Sequence, residues 1–517
     1  MPAPATIHPP IPPAPQRIPP RSARTPFPAG ALRAILVPAV LGAILIPVDH
    51  PGIGWLLTGL TAALALALVD RRARTQCKHA DSENSHADRD PDAATAYGVA
   101  FDLDKPAETL APQPFRARWW WAALTVGLLA VGAVRASGWL FACCLLAAVV
   151  TGSLAIVGRR SIHGLWHDAI AVPLAAVTVP PWLIRGITGR TTTSSARGRI
   201  ALSVAVTAGL LLVFVPLLAG ADALFAGLIG GITPTVHAAT VIRWLVVGIL
   251  VAALTAGALY VLAGPPPAHT TGEAATGMRW RPLEWALPVA ALTVLYAVFV
   301  AVQLTALFGG DDYVRRTAGL TYAEYARSGF WQLTAVTVLT LAVLSAVLRW
   351  AARDTPARRL LLRALLTPVI ALTLTIVASA LHRMWTYQQA YGFTVPRLLV
   401  EAGELWIGLL YLLTLAAVYH HHAWLPRAAV ATAAATLLAL AATDPERLIA
   451  DRNIDRWQSG KDLDTTYLAT LSADIAPALD RLPTPLRTTL LDPLRHHPDN
   501  NTWGHWNLAR ARLTNQR

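Results

Sequence analysis

Residues 382–406, HRMWTYQQAYGFTVPRLLVEAGELW, decide how the whole chain is read. They follow one apolar segment, 361–381, and run into the next, 397–419. Each is long enough to cross a hydrocarbon core of about 30 Å, which takes roughly 20 helical residues. Arg383, Trp385, Tyr387 and Tyr391 come first, and Gly392 permits a helix to stop. Pro396 suits the first turn of a new helix, and Arg397, Glu401 and Glu404 follow inside it. A plain connecting loop does not need carboxylates where the chain is about to enter lipid. Ionisable groups in a membrane helix face the bundle interior and find partners there. The stretch is therefore expected to face outward as a loop, 382–397, with the carboxylates just beyond it closing a polar, aromatic-lined pocket that opens outward.

The rest of the chain agrees. It has 517 residues, 54% hydrophobic and 14% charged, far too apolar for an ordinary soluble protein. About eleven apolar segments have spanning length: 31–48, 51–69, 117–134, 137–157, 200–219, 241–262, 285–308, 332–349, 361–381, 397–419 and 424–442. The dyad alternation of a barrel is absent, so the expected fold is an all-α polytopic transmembrane bundle. The net charge of +13 does not mark a nucleic-acid binder, because the arginines gather at helix ends, where membrane orientation explains them. Adjacent Cys143 and Cys144 point to different sides of a helix and make no ordinary bridge.

Cytoplasmic loops carry the excess of Lys and Arg. Arg17, Arg21, Arg24 and Arg33 place the N-terminus inside, after a Pro-rich tail (1–30) expected to be disordered. Arg71, Arg72 and Arg74 bring the 31–69 hairpin back inside, ahead of a polar cytoplasmic loop, 70–116. Residues 168–184, DAIAVPLAAVTVPPWLI, are short and hold Pro173, Pro180 and Pro181. If they spanned, the arginines of 185–199 and 349–363 would all lie outside. We therefore expect a re-entrant or interfacial elbow within the main bundle, 117–442. The N-terminus is then inside and the C-terminus outside. The tail, 443–517, is polar and reads as a small extracytoplasmic helical appendage. Thr443 or Asp444 caps its first helix, Leu468, Leu471, Ile475 and Leu479 stripe a second over 462–482, and TWGHWNLARARL forms a last one.

The candidate site sits on the outer side. Glu401 and Glu404 are i and i+3 on one helix face, with Glu404 about 10 Å in from Arg397. Arg397, Arg383 and His382 are their candidate partners. Gln303 lies about 9 Å in from Gly309, at a matching depth. The loop 309–331 places Tyr322, Tyr325 and Arg327 near one another, with Thr321 and Glu324 in capping-box spacing. Tyr387 and Tyr391 are one turn apart. Any of these tyrosines alone also fits an interfacial aromatic belt. His163 and His167 lack a third metal ligand, and His420–His422 suit a helix C-terminus. No metal or cofactor is implied, and no phosphate loop or nucleophile elbow is present.

EWALPVAALTVLYAVFVAVQLTALFGG, GLTYAEYARSGFWQL, HRMWTYQQAYGFTVPR and DLDTTYLATLSADIAPAL with WNLARAR together resemble a family of bacterial integral membrane proteins. It is known as domain of unknown function four-one-seven-three, or four-one-five-three. The resemblance covers roughly 200–517 and takes in Gln303, Tyr322, Tyr325, Arg327, Arg383, Tyr387, Tyr391, Gly392, Arg397 and Trp506. It implies a multi-pass protein of the cytoplasmic membrane and no particular reaction. Three functions remain open. One is a carrier binding a lipid or envelope precursor at the Glu/Arg/Tyr cluster. Another is a membrane enzyme using Glu401 or Glu404 as general base. The last is a scaffold docking an extracytoplasmic protein through its C-terminal helices.

Overall fold

The computed structural model describes residues 25–87, 115–158, 165–191, 238–264, 280–318, 330–420, 422–495 and 503–515, with position 207 alone. Apart from one isolated bridge between Trp280 and Ala351, the regular structure among them is helical. The helices are α1 (Ala31–Leu45), α2 (Ile53–Ala87), α3 (Phe115–Val134), α4 (Gly138–Val157), α5 (Leu165–Thr178), α6 (Pro180–Thr191), α7 (Ala238–Ala263), α8 (Pro282–Ala318), α9 (Phe330–Trp350), α10 (Pro356–Tyr391), α11 (Val395–Tyr419) and α12 (Leu425–Ala442). The tail adds α13 (Pro445–Gln458), α14 (Thr465–Leu468), α15 (Ala476–Leu479), α16 (Thr484–Arg495) and α17 (Leu508–Asn515). A helix satisfies its own backbone, which is what lipid demands.

Eight of these helices are each long and apolar enough to cross a membrane. Two shorter apolar helices, Ala31–Leu45 and Arg118–Val134, fall on further expected segments. The expected segment 200–219, apart from position 207, lies outside the described residues. The outward surface suits lipid: Leu146, Leu287 and Leu339 are exposed, and Leu283 is 83% exposed.

Two packed groups make the bundle. Helices α8 to α11 share a core of Trp285, Val289, Leu344, Leu366, Ile370 and Tyr411. Helices α1 to α5 and α7 pack with one another. Helix α12 joins the groups, touching α11 on one side and α3 and α4 on the other, where Ala434 meets Leu128, Leu140 and Cys144.

The two ends of the bundle differ. At one end Ala31, Val69, Val157 and Leu259 pack together with Ala175, Val179 and Trp182 of the α5–α6 pair. That pair bends by 54° at Val179. Its beginning packs on Leu154 near the end of α4. Its far half returns to the chain start, where the Trp182 indole N–H donates to the Thr25 carbonyl at 3.2 Å and Phe27 stacks on the ring. Both halves thus contact the same end. The opposite end carries the turns 46–52, 135–137 and 392–394, and the tail folds onto all of them. Trp506 accepts from the Ile53 N–H, and Asn507 donates to the carbonyls of Gly132 and Arg135. Tyr467 accepts from the Val395 N–H. Gly504 is pressed so tightly on the Leu45 carbonyl that a Cβ has no room.

Several expectations are corrected. Residues 70–87 of the expected loop continue α2, since Arg, Lys, Ala and Gln all favour helix. Residues 25–30 of the expected disordered tail are placed, with Thr25 buried. Residues 382–391 are the last turns of α10 rather than a loop, because nothing breaks the helix before Gly392. Helix α8 likewise runs through Gly309 and Gly310 to Ala318. In the tail, 462–482 is not one helix. Asp464 caps Tyr467 and Ser472 caps Asp474, so each starts a fresh turn. The apolar stripe is nevertheless buried as expected, at Leu468, Leu471, Ile475 and Leu479. Asp444 does not cap α13 with its side chain. Its backbone is left-handed, φ 56°, and its carboxylate is turned to Arg135 instead.

Candidate functional site

The polar groups between α8, α9, α10 and α11 form three neighbouring links. Arg383 on α10 donates to the side-chain amide oxygen Oε1 of Gln303 on α8 at 2.6 Å, and Ser379 donates to the same oxygen at 3.4 Å. Gln388 on α10, fully buried, donates to Glu401 on α11 at 3.2 Å. Thr334 on α9 donates to Glu404 Oε1 at 2.5 Å. Glu404 is 2% exposed, and its Oε2 is buried with no hydrogen-bond partner among the described residues. Its helix starts at Val395, so it lies about 13 Å along the axis from that end.

Arg397 does not reach Glu401. Its guanidinium folds back to the carbonyls of Tyr391 and Gly392 and lies over the Tyr387 ring, 4.6 Å from the centroid. Tyr387 and Tyr391 stack at 4.9 Å. The cause is the turn itself. Gly392, φ 90°, leaves carbonyls pointing at the guanidinium, and a Cβ there would sit 3.0 Å from Arg456 and Asn453. Among the described residues no ion pair involves Glu401 or Glu404. Of the candidate residues, the structure therefore joins Gln303 with Arg383 and Tyr387 with Tyr391 and Arg397. It links Glu401 and Glu404 to neighbours outside the candidate set. Tyr322, Tyr325 and Arg327 lie outside the described residues. Trp506 belongs to the tail contact near Ile53, not to this cluster.

A second polar cluster, missed in the sequence, clamps the tail to the turn between α3 and α4. Glu446, 3% exposed, accepts from Ser137 Oγ at 2.8 Å, Trp139 Nε1 at 2.9 Å and the Ser472 N–H at 2.6 Å. Asp474 Oδ2 accepts from the N–H groups of Ala136 and Ser137 at 2.9 and 3.1 Å. Arg135 pairs with Asp444 and donates to the carbonyls of Ala441 and Ala442. Burial, with the Asp444 and Glu446 charges adding to it, pushes Asp474 up to about 6. Burial also raises Asp444, against the pull of Arg135.

This gives a pH prediction. An acid whose folded value exceeds its unfolded value binds its proton more tightly when folded. The contribution of Asp474 to docking is full below the unfolded value near 4 and is lost as pH rises through about 6. Two units correspond to at most about 3 kcal/mol. Tail undocking, followed by a dye on Lys461, should need less denaturant at pH 8 than at pH 5. Asp474→Asn should flatten that dependence.

A match to a protein family covers residues 123–482, taking in the second half of α3 through α15 and both polar clusters apart from the end of the tail. The chain belongs to the family described as Domain of unknown function (DUF4153). The DUF4153 match begins well upstream of the resemblance drawn over 200–517, so α4 and its clamp turn are part of the family unit. It stops before 483–517, which hold α16, α17 and Trp506. No curated protein and no solved structure matches the chain. Family membership and the apolar helices together make this a multi-pass membrane protein.

Two of the missed DUF4153 residues had a signal. Ala380, Met384 and Gln388 are spaced by four and all buried, so Gln388 continues the inner stripe of α10. Thr334, Thr337 and Thr340 recur every three residues on α9. Arg135, Ser137, Glu446 and Asp474 had none, because the partners are more than 300 residues apart in the chain.

Proposed function

We propose that the protein binds or moves a polar or lipid-linked envelope molecule within the outward end of α8–α11. The tail would serve as its lid. The observation that carries this reading is the state of the two carboxylates. Glu401 and Glu404 take hydrogen bonds from an amide and a hydroxyl, and no cation among the described residues neutralises them. A carboxylate in a membrane helix costs a few kcal/mol even on mild insertion scales, so such groups mark ligand and ion paths. Arg383, Gln303, Tyr387, Tyr391 and Arg397 would supply the remaining contacts, with Tyr322, Tyr325 and Arg327 as further candidates.

Orientation supports the outward reading. Arg33, Arg71, Arg72, Arg349, Arg353, Arg358, Arg359 and Arg363 gather at the end opposite the tail, which the positive-inside rule assigns to the cytoplasm. We read α5–α6 as a re-entrant elbow at that end, and the membrane as the plasma membrane of a bacterium.

Native mass spectrometry of the detergent-purified protein tests the proposal. The wild type should carry a defined adduct that the Glu401→Gln/Glu404→Gln variant, folded and of normal mass, has lost. The same adducts on both proteins would contradict it and favour a scaffold that docks an extracytoplasmic partner. Turnover of the adduct by wild type alone would favour the membrane enzyme.

A further inference from the structure

We propose that Glu404 is a membrane-embedded site for one exchangeable positive charge, a proton or a monovalent metal cation, shared with the Thr334 hydroxyl. The inference deepens the reading above by naming a coupling ion. It rests on that reading only in placing Glu404 in the outward track, and it requires no organic ligand.

Three observations carry it. The side chain is nearly sealed, 2% exposed, so no bulk water neutralises it. One carboxylate oxygen is held at 2.5 Å by Thr334, while the other is buried with no donor among the described residues. The chain thus fixes the group in place and leaves one oxygen for something it does not itself supply. Deeper in the bundle the surroundings are oxygen-rich. Thr337, Thr373 and Tyr411 are fully buried and Thr340 nearly so. The Tyr411 hydroxyl donates to the Thr337 carbonyl at 2.5 Å, and the Tyr296 and Thr340 hydroxyls lie 2.6 Å apart.

The chemistry follows from charge and ligand type. A single carboxylate offers one negative charge, which matches one positive charge and not two. Carboxylate, hydroxyl and carbonyl oxygens suit hard cations rather than soft ones. A fixed guanidinium or ammonium would occupy the open oxygen permanently, and no described residue pairs with it in that way. An exchangeable charge satisfies the oxygen and can leave. Among titratable groups, Tyr411 on α11 interacts electrostatically with Glu404 and with Tyr296 on α8, and Glu401 lies three residues earlier on α11. Helix α9 contributes only hydroxyls there, and α10 brings Arg383, which is bonded to Gln303.

Infrared difference spectra of the protein in lipid nanodiscs test this, with no organic ligand added. The pH is stepped in one series. In a second series Na⁺, K⁺ or Li⁺ replaces a bulky organic cation at fixed pH. The expected result is a carboxyl band that responds to one of the two series, survives Glu401→Gln and is absent in Glu404→Gln. Response to pH alone identifies a proton; response to the cation series identifies a metal ion. Thr334→Val, which removes only the hydroxyl, should shift the midpoint about tenfold, roughly what loss of one hydrogen bond to a charged group gives. This second variant keeps the test open should Glu404→Gln fold poorly. A carboxyl signal indifferent to both series, or one that persists in Glu404→Gln, would overturn the proposal. Either result leaves the adduct measurement untouched, so the ion site and the ligand site can fail separately.

Discussion

Glu446→Ala is expected to release the tail from the membrane bundle. The carboxylate accepts from Ser137 Oγ, Trp139 Nε1 and the Ser472 N–H, all in a site that is 3% exposed. Alanine removes every acceptor at once and offers the donors no substitute. Each donor left unsatisfied costs about 1–3 kcal/mol, so the three together should cost about 3–9 kcal/mol. That is a large part of the stability of an ordinary domain. Glu446→Gln keeps a carbonyl oxygen for Ser137 and Trp139 but turns an amide N–H₂ toward the Ser472 N–H, and should cost less. Limited proteolysis in detergent separates them. The alanine variant should be cut within 443–482 while α1 to α12 stay protected, the glutamine variant should resist for longer, and the wild type should resist longest. Equal protection of all three would mean the clamp does not hold the tail.

Asn453→Ala should have the next largest effect, and it should reach the candidate site. Asn453 exchanges two hydrogen bonds with the backbone of Phe393, accepting from its N–H at 2.9 Å and donating to its carbonyl at 2.8 Å. Both residues are buried. Alanine orphans one N–H and one carbonyl, a cost of about 2–6 kcal/mol. Phe393 lies in the turn that sets where α11 begins, and hence where Glu401 and Glu404 sit. The same turn presents the Gly392 carbonyl to Arg397. The variant should therefore lower the thermal midpoint and also weaken any adduct that depends on Glu401 and Glu404. Asn453→Asp keeps the acceptor and loses the donor, so it should also be destabilised. A normal midpoint in both would remove this turn from the account.

The membrane class and nearly all the helix positions were legible in the sequence. Apolar runs of spanning length carry that signal directly, and 241–262, 332–349 and 397–419 became α7, α9 and α11 with small shifts at the ends. Where polar residues begin, the signal stopped marking helix ends. Hydropathy reports where lipid ends, not where the hydrogen-bond ladder ends, so α2 and α10 run on through Ala87 and Tyr391. At the site, pairing was not legible. Helix rise put Gln303, Glu401 and Glu404 at similar levels, but partners depend on which faces meet. Charge complementarity suggested Arg397 for Glu401, whereas the tight turn at Gly392 draws Arg397 to backbone carbonyls and Gln388 takes its place. The tail clamp needed the fold itself, because Glu446 and Ser137 meet only once α12 has returned the chain to the turn after α3.

The central claim is that the tail and the polar track open on the outer face, with the basic end of the bundle and the α5–α6 elbow inside. Single-cysteine accessibility tests it most directly. In a background where Cys77, Cys143 and Cys144 are replaced, one cysteine is placed at Lys461 in the tail, Asp354 between α9 and α10, or Arg185 on α6. An impermeant maleimide on intact cells should label position 461 and should label 354 and 185 only after permeabilisation. Labelling of 354 or 185 from outside, or protection of 461, would contradict the account.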